Sequence, residues 1–378
     1  MRIGILQGAF LPVPPIAGGA VEKMWFLLGQ EFAARGHRVF HISSTHKDLP
    51  PTDTIAGVSH LRIRGASAPK SVVLLKLLDF LYTFRARRVL PETDVLVTNT
   101  FFAPIVLAKH SGIYVDVARM PKGQIRLYRR AARLRANSSP LRAAILKEEP
   151  LAESRTSLIP NPLPFSTPEP VDWSLKEKRI LYAGRVHPEK GISLLLDAFL
   201  TAKARGHMAG WKLEIVGPAE ISYGGGGAGW FAELLKNHPH PDVSWLGPIF
   251  DSQRLNEHYR KATLFVYPSL AERGETFGLA PLEAMAWGAV PIVSDLACFK
   301  DFVRAGINGF TFHHRAQNAT NVLADVFSRA TQTDLKELRA NATNVRSTHS
   351  LTHIAEAFLT DFERVVDGLP AISAPTPS

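Results

Sequence analysis

Residues 264–295 read LFVYPSLAERGETFGLAPLEAMAWGAVPIVSD. Leu264–Tyr267 is a short apolar run rich in strand formers, stopped by Pro268-Ser269, and Val290–Ser294 is a second such run. Between them, Gly278 and Pro281 mark a helix start, because proline is tolerated in a first helical turn, where no intrahelical N–H bond is lost. Strand, helix and strand in this order form one unit of a parallel sheet. The helix would turn free backbone N–H groups and its positive dipole end toward the preceding loop, a natural place for an anion. Glu275 precedes that helix and Glu283 lies inside it. One carboxylate could hold sugar hydroxyls and the other the two hydroxyls of a ribose. A solvated glutamate and a helix-surface glutamate fit the same spacing.

The same rhythm extends in both directions. Upstream, Arg179–Ala183, Lys212–Val216 and Val243–Leu246 read as strands, separated by helical patterns such as Ser193–Ala204 and Leu255–Ala262. In the first half, Arg2–Gly8, Val39–Ile42, Asp94–Thr98 and Ile113–Val117 are strand candidates. Ala20–Ala34 has helical periodicity and stops at Arg35-Gly36, a glycine stop. Ser71–Val89 (SVVLLKLLDFLYTFRARRV) reads as a helix, and a buried core helix is favoured over contact with a membrane. Pro160–Pro170 (PNPLPFSTPEP) is too rich in proline for a helix or central strand and reads as a linker. The expected division is residues 1–165, residues 166–348, a last helix in 349–367, and a loose tail over 368–378. Two doubly wound domains place ligands beyond the carboxyl ends of their strands, in a cleft between them.

Two further motifs follow strands. Tyr182-Ala-Gly-Arg185-Val-His-Pro-Glu-Lys190-Gly191 offers Gly184 for a tight turn, with Arg185 and Lys190 to neutralise a diphosphate. An exposed basic turn is the bland alternative. Gly18-Gly19, between the first strand and the first helix, lets backbone amides approach a phosphate, although an ordinary strand–helix loop also carries such a pair.

The chain has 378 residues, long enough for two cores, and a formal charge of +10. Residues 1–165 hold 23 Lys/Arg against 11 Asp/Glu, so the entire surplus lies in the first half and points to an anionic partner there. From Arg119 to Lys147 there are nine basic residues and no acid. A solvated basic helix face and a binding surface fit that run equally. Cys298 is the only cysteine, which excludes an intramolecular disulfide and a cysteine-bound zinc. No apolar run is long enough for a membrane span, and the N-terminus lacks the apolar core of a signal peptide, so a cytoplasmic location is expected. Tyr223–Trp230, rich in glycine, reads as a flexible surface loop, with a flap over a ligand as the alternative.

In order along the chain, AGGAVEKMWFLLGQEFAARGHRV, SLIPNPL, LYAGRVHPEKG, LEIVG, WLGPI, the stretch quoted first, and GINGF resemble glycosyltransferase family four. These are retaining enzymes of the GT-B fold. The likeness runs through nearly all of the second half and patchily through the first. It implies an α/β GT-B architecture, two Rossmann-like domains whose parallel sheets face an interdomain cleft. It also implies transfer of a sugar from a UDP- or GDP-type nucleotide sugar without a bound metal or other cofactor. By carry-over, Arg185 and Lys190 would grip the donor diphosphate, with Gly18 and Gly19 meeting it from the first domain. Glu283 would bind the ribose, and Glu275 would sit at the transferred sugar beside the amides of Phe277, Gly278 and Leu279. Gly217 would belong to the donor pocket, and Gly247-Pro248-Ile249 would lie near the base. The last helix, Leu351–Val366, would cross back onto the first domain.

Many relatives carry a histidine where the strand Ile113–Val117 ends. Here the sequence continues Ala118-Arg119, and Arg119 is the candidate for that position. A non-catalytic nucleotide-sugar binder therefore stays open beside the enzyme, as does a phosphorylase or epimerase of the same fold. A basic nucleic-acid binder is the remote alternative and is not expected, since the basic run contains no recognised module. Arg119, Lys122 and Arg126 are the acceptor-side candidates, for a glycan or a lipid-linked or anionic acceptor. Peripheral contact with an anionic membrane would fit the same charge.

Overall fold

The computed structural model describes residues 1–165 and 170–372; parts of the expected linker (166–169) and tail (373–378) lie outside the described residues. The chain divides into two compact units, Met1–Phe165 with His349–Ser378, and Ser166–Thr348.

The first unit contains strands β1 (Arg2–Leu6), β2 (Arg38–Ser44), β3 (Thr52–Ile55), β4 (Val58–Ile63), β5 (Val95–Thr98), β6 (Ile113–Val117), β7 (Arg133–Ala136) and β8 (Thr156–Leu158). They form one sheet in the order β3-β4-β2-β1-β5-β6-β7-β8. All its pairings are parallel except β3 with β4. Its helices include α1 (Ala20–Ala34), α2 (Val72–Val89), α3 (Ala103–Val106) and α4 (Ser139–Glu148).

The second unit contains β9 (Glu177–Ala183), β10 (Lys212–Val216), β11 (Val243–Gly247), β12 (Ala262–Tyr267), β13 (Val290–Ser294) and β14 (Phe310–Phe312), in the order β11-β10-β9-β12-β13-β14. Every pairing is parallel. Its helices are α5 (Ile192–Ala204), α6 (Ala228–Asn237), α7 (Ser252–Lys261), α8 (Leu279–Ala286), α9 (Ala319–Gln332), α10 (Lys336–Ala342) and α11 (Val345–Thr348). The chain then returns to the first unit as α12 (Leu351–Val366).

Helix α12 is held by both apolar and ionic contacts. Phe358 and Phe362 pack on Trp25, Phe32 and Tyr114, ring centroids 4.9–6.1 Å apart. Burying each such ring stabilises the unit by about 2–3 kcal/mol. Asp361, 2% exposed, pairs with Arg133 Nε at 2.9 Å and accepts a hydrogen bond from the Tyr114 hydroxyl at 2.8 Å.

Two expectations for this unit need correction. The basic run 119–147 is not one solvated helix face. It passes through a loop, a 3₁₀ turn, the buried strand β7 and the helix α4. Arg133 and Arg135 point into the core, where Asp361 and Asp116 neutralise them, because a buried guanidinium must be paired. Beyond the run, the Glu148 carboxylate accepts from the amides of Gly123 and Ile125, and Glu149 pairs with Arg129. Helix α2 is not a buried core helix either. It turns Asp79, Tyr82, Thr83 and Ala86 inward and leaves Val72, Val73, Leu74, Leu77, Leu81 and Phe84 exposed. Among the described residues no helix is long and apolar enough to cross a membrane.

Candidate functional site

In the second unit the carboxyl ends of β11, β10, β9 and β12 lie side by side in the sheet. Three backbone hydrogen bonds tie the loops there: Gly184 N–H to Val216 C=O, Val186 N–H to Pro218 C=O, and Gly217 N–H to Gly247 C=O, each 2.9 Å. The approach is so close that a Cβ on Gly217 would lie 1.7 Å from the Gly184 carbonyl oxygen. Gly217 also holds φ 149°. This is why glycine occupies the turn.

On that platform, a short 3₁₀ turn Pro188–Lys190 carries Lys190 inward. The His187 ring caps the turn by accepting from the Glu189 amide at 3.2 Å. The Lys190 ammonium donates to Glu275 Oε2 at 2.6 Å and lies 5.4 Å from the centre of the Tyr267 ring. The Ser269 hydroxyl donates to the same carboxylate oxygen at 3.1 Å, and its own carbonyl accepts from the Ser294 hydroxyl at 2.7 Å. Lys190 is 5% exposed, so the cation is nearly out of water and its charge acts at full strength on whatever it touches. Burial pushes the Tyr267 hydroxyl well above its usual range, and the nearby Glu275 adds to that. This phenol therefore stays protonated.

Arg185 is more open. Its guanidinium donates to Glu189 Oε1 at 2.6 Å and to the Gly224 carbonyl at 2.7 Å. The glycine-rich segment behind it is pinned rather than loose. Amides of Gly225, Gly226 and Gly227 donate to the carbonyls of Glu220, Val186 and Ala219. Tyr223 and Phe250, both exposed, lie 5.3 Å apart beside Ile249, at the ends of β10 and β11.

Gly278 caps α8 with φ 91°, and a Cβ there would lie 2.4 Å from the Phe299 ring. Only glycine lets Phe277 tuck into the core while Leu279 begins the helix. Glu283, one turn into α8, is half-buried and hydrogen-bonds the buried Tyr259. The structure thus brings Arg185, Lys190, Glu275 and Gly217 around one set of strand ends, with Ile249 on the adjacent edge. Glu189, Ser269 and Tyr259, the partners of Arg185, Glu275 and Glu283, carry no signal in the sequence pattern, since none stands at a spacing that marks it.

In the first unit, Gly19 caps α1 with φ 102°, and Gly18 before it has φ 83°. Gly19 and Arg119 line a cavity of about 710 Å³ together with Glu22, Lys76, Asp79 and Asp116. Lys122 and Arg126 are exposed outside it, Arg126 donating to the Glu148 carbonyl at 3.1 Å. Burial raises the Glu22 carboxyl; its own backbone amide and then Arg119 draw it partly back. Asp116 accepts from the Trp25 indole and from Arg135, both at 2.8 Å. Glu22 and Asp116 were not anticipated. The available signal was an acid inside an apolar strand, facing an Arg-Leu-Arg strand in register.

Residues 177–329 match the family described as glycosyl transferases group 1. The chain is 27% identical to the phosphatidyl-myo-inositol mannosyltransferase of Mycobacterium tuberculosis over 324 residues, 81% of each protein. It is 29% identical to the lipopolysaccharide 1,2-N-acetylglucosaminetransferase of Salmonella typhimurium over 47% of this chain. That match spans 46% of the Salmonella enzyme, about half its length. The crystal structure of Anabaena Alr3699/HepE in complex with UDP and glucose superposes with a TM-score of 0.69 at 17% identity, covering 96% of this chain and 99% of that one. The two parallel-sheet units are those of the GT-B fold. Fold, family match and extended sequence likeness agree: residues 177–329 are those of a group 1 glycosyltransferase, and the chain as a whole is similar to members of that family.

Proposed function

We propose that this protein transfers a sugar from a nucleotide-diphosphate sugar to a glycan or lipid-linked acceptor, with retention at the sugar carbon and without a bound metal. The observation that carries this reading is the Lys190–Glu275 pair at the strand ends of the second unit, a buried cation beside a carboxylate and the start of a helix. Lys190 and Arg185 would neutralise the departing diphosphate, and the amides at Gly278 and Leu279 would add the positive end of α8. Glu275 would orient hydroxyls of the transferred sugar, and Glu283, exchanging its hold on Tyr259, would take the ribose. The base would lie by Ile249.

The bond from the sugar carbon to the phosphate oxygen breaks as the acceptor oxygen forms its bond on the same face. The acceptor proton passes to the departing phosphate oxygen. Positioning and electrostatics then supply most of the rate. The cavity beside Arg119 in the first unit supports an acceptor pocket with both apolar and charged walls. An acceptor borne on the cytoplasmic face of a membrane fits the surplus of basic residues there.

The test is a thermal-shift screen of UDP, GDP, ADP and their sugar conjugates without added metal. A ligand that binds only the native state raises the melting temperature. One nucleotide class should do so, and Lys190→Ala and Glu283→Ala should each remove most of the shift. Unchanged shifts in both variants would overturn the site. Donor turnover then separates an enzyme from a non-catalytic binder.

A further inference from the structure

Helix α2 is inverted with respect to its composition. Val73, Leu74, Leu77, Leu81 and Phe84 are 79, 44, 51, 41 and 41% exposed. At the helical repeat they fall within one arc of about 100° on the outward side. The only acid of the helix, Asp79, is turned inward, where it accepts from the Phe102 amide at 3.1 Å. Arg85, Arg87 and Arg88 crowd the last turns, and all three are exposed. A stripe of large apolar residues rimmed by cations and free of anions is costly to leave in water. It matches a surface that is apolar beneath and anionic on top.

The fold adds a second observation. From the outward Phe84, a row of rings in edge contact leads inward: Phe80 at 5.0 Å, Phe102 at 5.2 Å, then Phe101 at 4.9 Å. Phe101 lines the cavity that also holds Arg119, and the Lys76 ammonium sits 4.5 Å from its ring centre. The exposed stripe is therefore continuous, through aromatic side chains, with the wall of that cavity. A protein partner would have no use for such a path, whereas an acyl or prenyl chain would.

We propose that the outer face of α2 docks on an anionic lipid bilayer, with Leu77, Leu81 and Phe84 among the acyl chains and Arg85, Arg87 and Arg88 at the headgroups. This deepens the acceptor reading above and rests on it only for what the bilayer would deliver. Docking itself needs no sugar donor, so the two can fail separately.

The experiment is sedimentation of the full chain with vesicles of phosphatidylcholine alone and of phosphatidylcholine mixed with phosphatidylglycerol. The protein should pellet with the mixed vesicles and not with the neutral ones. The triple variant Leu77→Ser, Leu81→Ser, Phe84→Ser replaces exposed side chains and should fold, yet bind the mixed vesicles at least about tenfold more weakly. Arg87→Gln with Arg88→Gln should lose roughly fivefold per residue and flatten the salt dependence. The nucleotide thermal shift should be unaltered in both, which separates lost docking from lost donor binding. No binding by the wild type, or equal binding by the triple variant, overturns the proposal. So does a concentration-dependent dimer in analytical ultracentrifugation that the triple variant abolishes, for then a second copy covers the stripe.

Discussion

Removing the cation at position 190 should cost folding stability as well as donor binding, and the two effects can be separated. Lys190→Met keeps most of the side-chain volume and strands Glu275. The pair is 2.6 Å apart, with side chains 7% and 11% exposed. Breaking a buried pair by removing one partner costs about 3–5 kcal/mol, because the remaining charge keeps its desolvation penalty. Glu275 retains the Ser269 hydroxyl at 3.1 Å and some access to water, which brings the expected loss to or just below the lower end of that range, about 2–3 kcal/mol. Glu275→Gln strands Lys190 instead, with the Tyr267 ring still 5.4 Å away, and should cost about as much. The double variant removes both charges, so its loss should fall about 2 kcal/mol short of the sum of the single losses. Urea unfolding followed by tryptophan fluorescence is suitable, since five of the six tryptophans (173, 211, 230, 245 and 287) lie in the second unit. If the single losses add to within about 0.5 kcal/mol, the two charges are not coupled and the reasoning from burial is wrong. If Lys190→Met shows the stability loss but keeps the full nucleotide thermal shift, the ion pair is structural and the donor grip lies elsewhere.

Two further outcomes test the backbone and the core. Gly217→Ala places a Cβ against a backbone oxygen at φ 149° and should destabilise the second unit by about 3 kcal/mol or more; Gly18→Ala, at φ 83° with open space around it, should cost only about 1 kcal/mol. Equal losses in urea melts would mean that the strand ends can relax. His60, 1% exposed and stacked on His41, is pushed down to about 4 by burial and then by Arg62. Its folded value lies below the unfolded value of about 6.5, so its contribution is present above pH 6.5 and is lost as pH falls from there toward 4, by roughly 3 kcal/mol in all. A His60→Phe variant should show a shallower fall in urea midpoint over that window, and an unchanged slope would count against a neutral buried ring.

Much of the architecture was legible in the chain. The bounds of α1, β6, β10, β13 and α12 in the structure are those the apolar periodicity suggests, because each has its pattern written locally with a clear stop. Strands β3, β4, β7 and β8 were not foreseen. β7 reads RLRA, and no local rule makes two arginines a buried strand. Their partners stand on β6 and on α12, and the second of these is more than 200 residues further along the chain.

The sequence by itself determined the alternation of strands and helices, the positions of the turn glycines, and the concentration of positive charge in the first half. These follow from local sterics and composition. Only the tertiary structure decided that Arg133 and Arg135 are core cations, and that Lys190 reaches Glu275 across 85 residues. It also decided that α2 presents its leucines and phenylalanine to the outside. A helix rich in apolar residues nearly all round has no preferred face of its own, and which side is buried is set by what the sheet can receive. The sheet receives Tyr82, Thr83 and Ala86, with Asp79 capping the start of α3, and the larger side chains are left facing outward.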